Sequence, residues 1–213
     1  MKFRKLIDCS PWIVGITGLF VIFGRIIDSR LLIQIYPSFT SMKFFTALLF
    51  LCFGFQLFEI KNYIIYGSIL RSKFYFILMT LISLIIVFCF FMYISPKVFG
   101  GILSLVPINE KYDPWTTMPH IPSILTLLCF ALIQFSQYII ILYKNMINKV
   151  FLIVGISLCF LSGVVVLSYV SDIQWVSFTT IFGGAMAIHS AILFVIIGIN
   201  FLVLRSNKSN YSQ

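Results

Sequence analysis

Two imidazoles and two carboxylates are the side chains of this sequence best placed to do chemistry. His189 stands near the start of an apolar run, in AIHSAILF, and His120 stands in PHIPS just before another. Ionisable groups at such places are the first candidates for function, because hydrocarbon tolerates a charge poorly. Imidazole nitrogens bind metal or haem. Two histidines with no third ligand make a sparse set, however, and a hydrogen-bonded histidine at the membrane interface is the plainer expectation. No metal and no cofactor is therefore expected. Asp28 lies fourteen residues before Met42, and Asp172 lies fourteen before Met186, so the two carboxylates end their apolar runs in one register. His189, His120, Asp28 and Asp172 are the candidate lining of a pocket at one face of a membrane domain.

Catalysis asks for paired carboxylates, a nucleophile with a base, or a ligand cluster facing a cleft. None of these patterns occurs, and no enzyme is expected. The five cysteines, Cys9, Cys52, Cys89, Cys129 and Cys159, lack ligand spacing. They read as small apolar packing residues without disulfides. Gln56, Thr80, Ser83, Gln134, Ser136, Gln137, Ser162 and Asn200 are polar positions within apolar runs, too scattered to define a transport path. Arg25 and Glu59, at run ends, are expected to snorkel to the interface.

The elements that carry these residues follow from composition. Of 213 residues 61% are hydrophobic and only 10% charged, against about a quarter charged in a soluble domain. There is too little polar surface for a water-soluble fold. Continuous runs of membrane-crossing length, about 17–25 residues, fall near Pro11–Ile27, Met42–Ile60, Phe74–Ile94, Ser123–Tyr143, Val150–Val170 and Ala185–Leu204. They lack the alternation of barrel strands. The fold class is thus all-α, a polytopic bundle of six transmembrane helices in a single transmembrane domain, with 205–213 as a short polar tail.

The formal charge of +9 is a topology signal rather than a nucleic-acid footprint. Lys2, Arg4, Lys5, Lys61, Arg71, Lys73, Lys144, Lys149, Arg205 and Lys208 fall at the termini and in alternate connections, ten of the fifteen cations. The positive-inside rule places both termini in the cytoplasm. The remaining connections, 28–39, 98–107 and 175–184, are outer, apolar, and too short to span. They are expected to lie in or re-enter the interface and to roof the pocket.

The chain also resembles itself. Setting Met42 on Met186 places Thr46 on Ser190, Phe50 on Phe194 and Gly54 on Gly198. Setting Phe130 on both phenylalanines brings Thr126 to the hydroxyl position, Gln134 to the glycine and Ser136 beside Gln56 and Asn200. Upstream, IVGIT (13–17) resembles IVGIS (153–157), and Tyr93-Ile-Ser95 resembles Tyr169-Val-Ser171. Three repeated helical hairpins are expected, 11–60, 74–143 and 150–204, with the outer loop of the second lengthened. At 100° per residue, positions four and eight apart stay within an 80° arc. Met42, Thr46, Phe50, Thr126, Phe130, Met186, Ser190 and Phe194 therefore form a candidate packing column directed into the bundle, with the second, fourth and sixth helices central.

The pattern M-x-x-x-[TS]-A-[LI]-x-F-x-x-x-G resembles the even-numbered helices of the six-helix membrane sensor regions at the N-termini of bacterial histidine kinases and diguanylate cyclases. Phe45 and His189 stand where that pattern has Asn. The resemblance covers most of residues 11 to 204. It implies a sensor-like or receptor-like module for signal transduction that acts through partner proteins, in a bacterial inner membrane. The sequence ends in RSNKSNYSQ, so the output domain is expected on another chain. The expected partners are the lipid bilayer and a protein partner or second copy, with no nucleic acid. An accessory or assembly subunit of a membrane complex, or a small permease, are the alternatives.

Overall fold

The computed structural model describes residues 2–34, 39–66, 73–94, 121–171 and 186–211. These residues are helical apart from short connections, with no strand among them. Six helices among them are long and apolar enough to cross a membrane. They are α1 (Lys2–Ile26), α2 (Phe44–Tyr66), α3 (Lys73–Ile94), α4 (Ile124–Leu142), α5 (Ile147–Val170) and α6 (Ile188–Tyr211). A single-turn helix, Arg30–Ile33, follows α1. Helices are the form an uninterrupted apolar run takes in lipid, because each backbone group then finds its partner within the run. Helical structure outlasts the apolar runs where polar residues follow. α1 begins at Lys2, and α6 continues past Arg205 to Tyr211, so most of the expected tail is helix.

The helices form two shells. In the membrane-length windows of α2, α4 and α6, 61%, 50% and 50% of residues are buried, against 39%, 33% and 39% in α1, α3 and α5. The even helices are thus inner and the odd ones outer. Each outer helix packs on the even helix of its own hairpin and on one further inner helix: α1 on α6, α3 on α2, α5 on α4. The α1–α2 and α5–α6 contacts are the most extensive.

Three rings meet at the centre. Phe50, Phe130 and Phe194 come from α2, α4 and α6, with centroids 4.8, 4.9 and 5.0 Å apart pair by pair. All three are fully buried, and Phe53 stacks on Phe130 just beyond. Offset and edge-on aromatic contacts add about 0.5–1.5 kcal/mol per pair beyond area burial. The whole expected packing column, Met42, Thr46, Phe50, Thr126, Phe130, Met186, Ser190 and Phe194, is buried.

Within the hairpins the same positions meet. A Cβ on Gly54 would stand 2.9 Å from Pro11 O and 2.6 Å from Gly15 Cα. A Cβ on Gly198 would stand 2.9 Å from Gly155 O and 2.7 Å from Cys159 Sγ. In the middle hairpin Gln134 occupies the glycine position, and its Nε2 donates to Met79 O at 3.0 Å and to Ser83 Oγ at 3.2 Å. Pro11, Met79 and Gly155 are therefore counterparts, as are Gly15, Ser83 and Cys159. This corrects one sequence match. IVGIT and IVGIS are alike in letters but one helical turn out of register, since Gly155 matches Pro11 rather than Gly15.

Candidate functional site at the loop end of the bundle

The ends of α1, α3 and α5 meet the starts of α2, α4 and α6 at one end of the bundle, opposite the two termini. There a long side chain of each outer helix donates to the same backbone carbonyl of the following inner strand of chain. Arg25 Nη2 donates to Met42 O at 2.7 Å, with Nε on the same oxygen at 3.2 Å and Nη2 also on Ser41 Oγ at 2.9 Å. Tyr93 Oη donates to Pro122 O at 2.7 Å, and Tyr169 Oη donates to Met186 O at 2.9 Å. Arg25, Tyr93 and Tyr169 each stand ten residues after Gly15, Ser83 and Cys159, and Met42, Pro122 and Met186 each stand twelve before Gly54, Gln134 and Gly198. Three latches thus occupy matching places. Arg25 does not snorkel as expected: it is buried, and a buried guanidinium is tolerable only when its donors are engaged.

The sequence pairs Tyr93 with Tyr169 but not Arg25 with either, because Arg and Tyr share no chemistry beyond a donor on a long side chain. The available signal was their constant distance, three residues, before Asp28, Pro96 and Asp172.

Of the expected pocket residues, His120 and Asp172 lie outside the described residues, as do the segments 98–107 and 175–184 expected to roof the pocket. Asp28 is exposed at φ 55°, just past the end of α1. Ser29 N donates back to Gly24 O at 2.8 Å across it, the bond that closes a helix through a left-handed residue. That place favours Gly, and Asp is among the side chains that tolerate it. The aspartate thus has a local structural task in ending α1. His189 is in the first turn of α6, half-buried, and its Nδ1 is shielded and has no hydrogen-bond partner among the described residues. Among the described residues no group of three or more His, Cys, Asp or Glu side chains is arranged to hold a metal.

One helical turn inward from the latches lie Thr46, Thr126 and Ser190, and a further turn inward the three phenylalanines. Ser123 caps α4, its Oγ accepting from Thr126 N and sharing a 2.8 Å hydrogen bond with Thr126 Oγ1. The phenylalanine cluster closes the bundle axis, so no straight polar route passes through it.

The scattered midspan polar residues gather more than their spacing suggested. Ser83 and Gln134 meet in the α3–α4 seam, where Ser83 Oγ also lies 3.0 Å from Tyr138 Oη, and further along the same seam Tyr75 Oη donates to Gln137 Oε1 at 3.0 Å. Thr80, Ser136 and Ser162 bond back to carbonyls of their own helices. Gln56 and Asn200, in matching register, are fully buried, and neither amide atom of either has a partner among the described residues. The five cysteines are free thiols, and Cys9 alone of them is exposed.

The chain matches no family model, no curated protein and no solved structure.

Proposed function

We propose that this membrane protein is a sensor-like or receptor-like module without catalysis of its own, and that it signals through partner proteins. The observation that carries the reading is the convergence of three matching latches at one end of the bundle, two helical turns from the phenylalanine cluster. A ligand held there bears at once on Met42, Pro122 and Met186, which open the three inner helices. Those helices meet ring to ring, so a shift of one is felt by the other two before it reaches the opposite end. His189, in the first turn of α6 with its Nδ1 unpartnered among the described residues, is the group proposed to meet the ligand. The three hairpins are read as copies of one unit, and the resemblance to six-helix sensor regions agrees with that. The charge pattern supports cytoplasmic termini, and the resemblance supports a bacterial inner membrane.

Copurification in mild detergent tests this reading. A signalling kinase or cyclase recovered in stoichiometric amount is the expected result. A stoichiometric enzyme or channel instead makes the chain an accessory subunit, and uptake of a solute by the purified protein alone makes it a permease. His189→Gln should insert and fold as wild type, judged by gel filtration, while losing coupling to the recovered partner. Unchanged coupling removes His189 from the site.

A further inference from the structure

The α1–α2 crossing differs from its two counterparts in one respect. Ser83 and Cys159 place a side chain against the neighbouring inner helix, bonding with Gln134 and Val195 O. Gly15, in the matching position, places none. The crossing itself does not demand this glycine. A Cβ on Gly15 would stand 3.6 Å from Gly54 Cα and 3.8 Å from Leu51 O, ordinary contact distances. What the missing side chain leaves is an apolar groove of about 240 Å³, open on the outer surface of the bundle, with Trp12, Gly15, Ile16, Leu51, Phe55 and Phe58 among its walls. Trp12 and Phe55 are exposed at its rim. Its lining spans nine residues of α1 and eight of α2, roughly 10–12 Å along the bundle axis.

The groove runs out towards the termini beside a cation. Lys61 Nζ sits 5.0 Å above the Phe58 ring and 3.1 Å from Asp8 Oδ1. Beyond Asp8, the first turns of α1 carry Lys2, Arg4 and Lys5, with no acidic residue in the first turn. The local balance is positive, with Lys2, Arg4, Lys5 and Lys61 set against Asp8 and Glu59.

We infer that this groove holds one acyl chain of an anionic phospholipid whose headgroup lies against the basic start of α1. An apolar trough roughly 10–12 Å long and a helix start of basic sequence beyond its end are met together by one such molecule. Trp12 at the rim suits the boundary between chain and headgroup. A second copy of this chain is a poorer occupant, because packing two of these faces together brings two basic segments into repulsion.

The test uses the full-length chain in nanodiscs of equal phosphatidylglycerol and phosphatidylcholine, followed by native mass spectrometry. One phosphatidylglycerol retained per chain is expected, at least tenfold above phosphatidylcholine. Gly15→Leu fills the groove and should abolish that retention. Gly163→Leu is the matched control, since a Cβ there meets nothing within 4 Å, and it should retain the lipid. The triple variant Lys2→Gln, Arg4→Gln, Lys5→Gln should lose the preference for phosphatidylglycerol. A second measurement keeps the groove intact. With Trp115→Phe and Trp175→Phe, dibrominated phosphatidylglycerol should quench Trp12 more strongly than dibrominated phosphatidylcholine. Equal quenching by the two lipids, retention unchanged in Gly15→Leu, or a dimer that Gly15→Leu dissociates would each overturn the inference.

Discussion

Arg25 lies at the end of an apolar run, where a long cationic side chain usually reaches for the headgroups. Here it turns inward and engages Met42 O and Ser41 Oγ, while Tyr93 and Tyr169 meet the matching carbonyls with a neutral phenol. Hydrogen bonds from charged groups contribute about 1.5–3 kcal/mol and neutral ones about 0.5–1.5. Interhelical bonds in lipid average about 0.6 kcal/mol. Arg25→Met should therefore lower the unfolding free energy by about 2 kcal/mol, and Tyr93→Phe or Tyr169→Phe by about 0.5–1 each. Denaturant unfolding in detergent micelles gives the order, and a silent Arg25→Met would mean that the guanidinium does not hold the α1–α2 connection. The arginine's burial was not legible in the sequence, because a run end supplies either solvent or a partner and only the returning chain decides which.

Helix pairs in lipid gain little from the hydrophobic effect and associate by close packing and polar contacts instead. The α1–α2 and α5–α6 pairs use the first, through Gly54 and Gly198. The α3–α4 pair uses the second, through Gln134, Ser83, Tyr75 and Gln137. Gly54→Ala pushes a methyl into the backbone of Gly15, which cannot yield as a flexible side chain would. A loss of about 1–3 kcal/mol is expected. Gly163→Ala, facing open space, should gain about 0.5–1 kcal/mol from helix propensity. Unfolding in mixed micelles separates the two, and a Gly54→Ala protein as stable as wild type would contradict the crossing. The glycine matches were readable at Gly54 and Gly198. The IVGI likeness misled because a crossing selects small volume at a position rather than a string of letters: Gly155 meets that need against Gly198 O, whereas Gly15, one turn away in register, is not demanded by its own crossing.

At the scale of the molecule, the inner shell converges on Phe50, Phe130 and Phe194, three nearly equidistant rings. Near-equal geometry predicts near-equal coupling. Double-mutant cycles with Leu at each pair should give about 0.5–1.5 kcal/mol of interaction, similar for all three. Coupling concentrated in one pair, with the third ring silent, would mean that two hairpins associate and the third only leans on them.

The sequence by itself determined six helices and the inward column of Met, hydroxyl and Phe. Long apolar runs admit no other form in lipid, and residues at fixed multiples of four share a helix face whatever lies opposite. The tertiary structure alone decided what each face meets. It set Arg25 in the place that Tyr93 and Tyr169 hold in their hairpins, gathered Gln134 with Ser83, left Gln56 and Asn200 without partners among the described residues and opened a groove at Gly15. Each of these depends on which atoms of a second helix stand within about 3–4 Å. That distance is set by the crossing of two helices, and no periodicity within either one contains it.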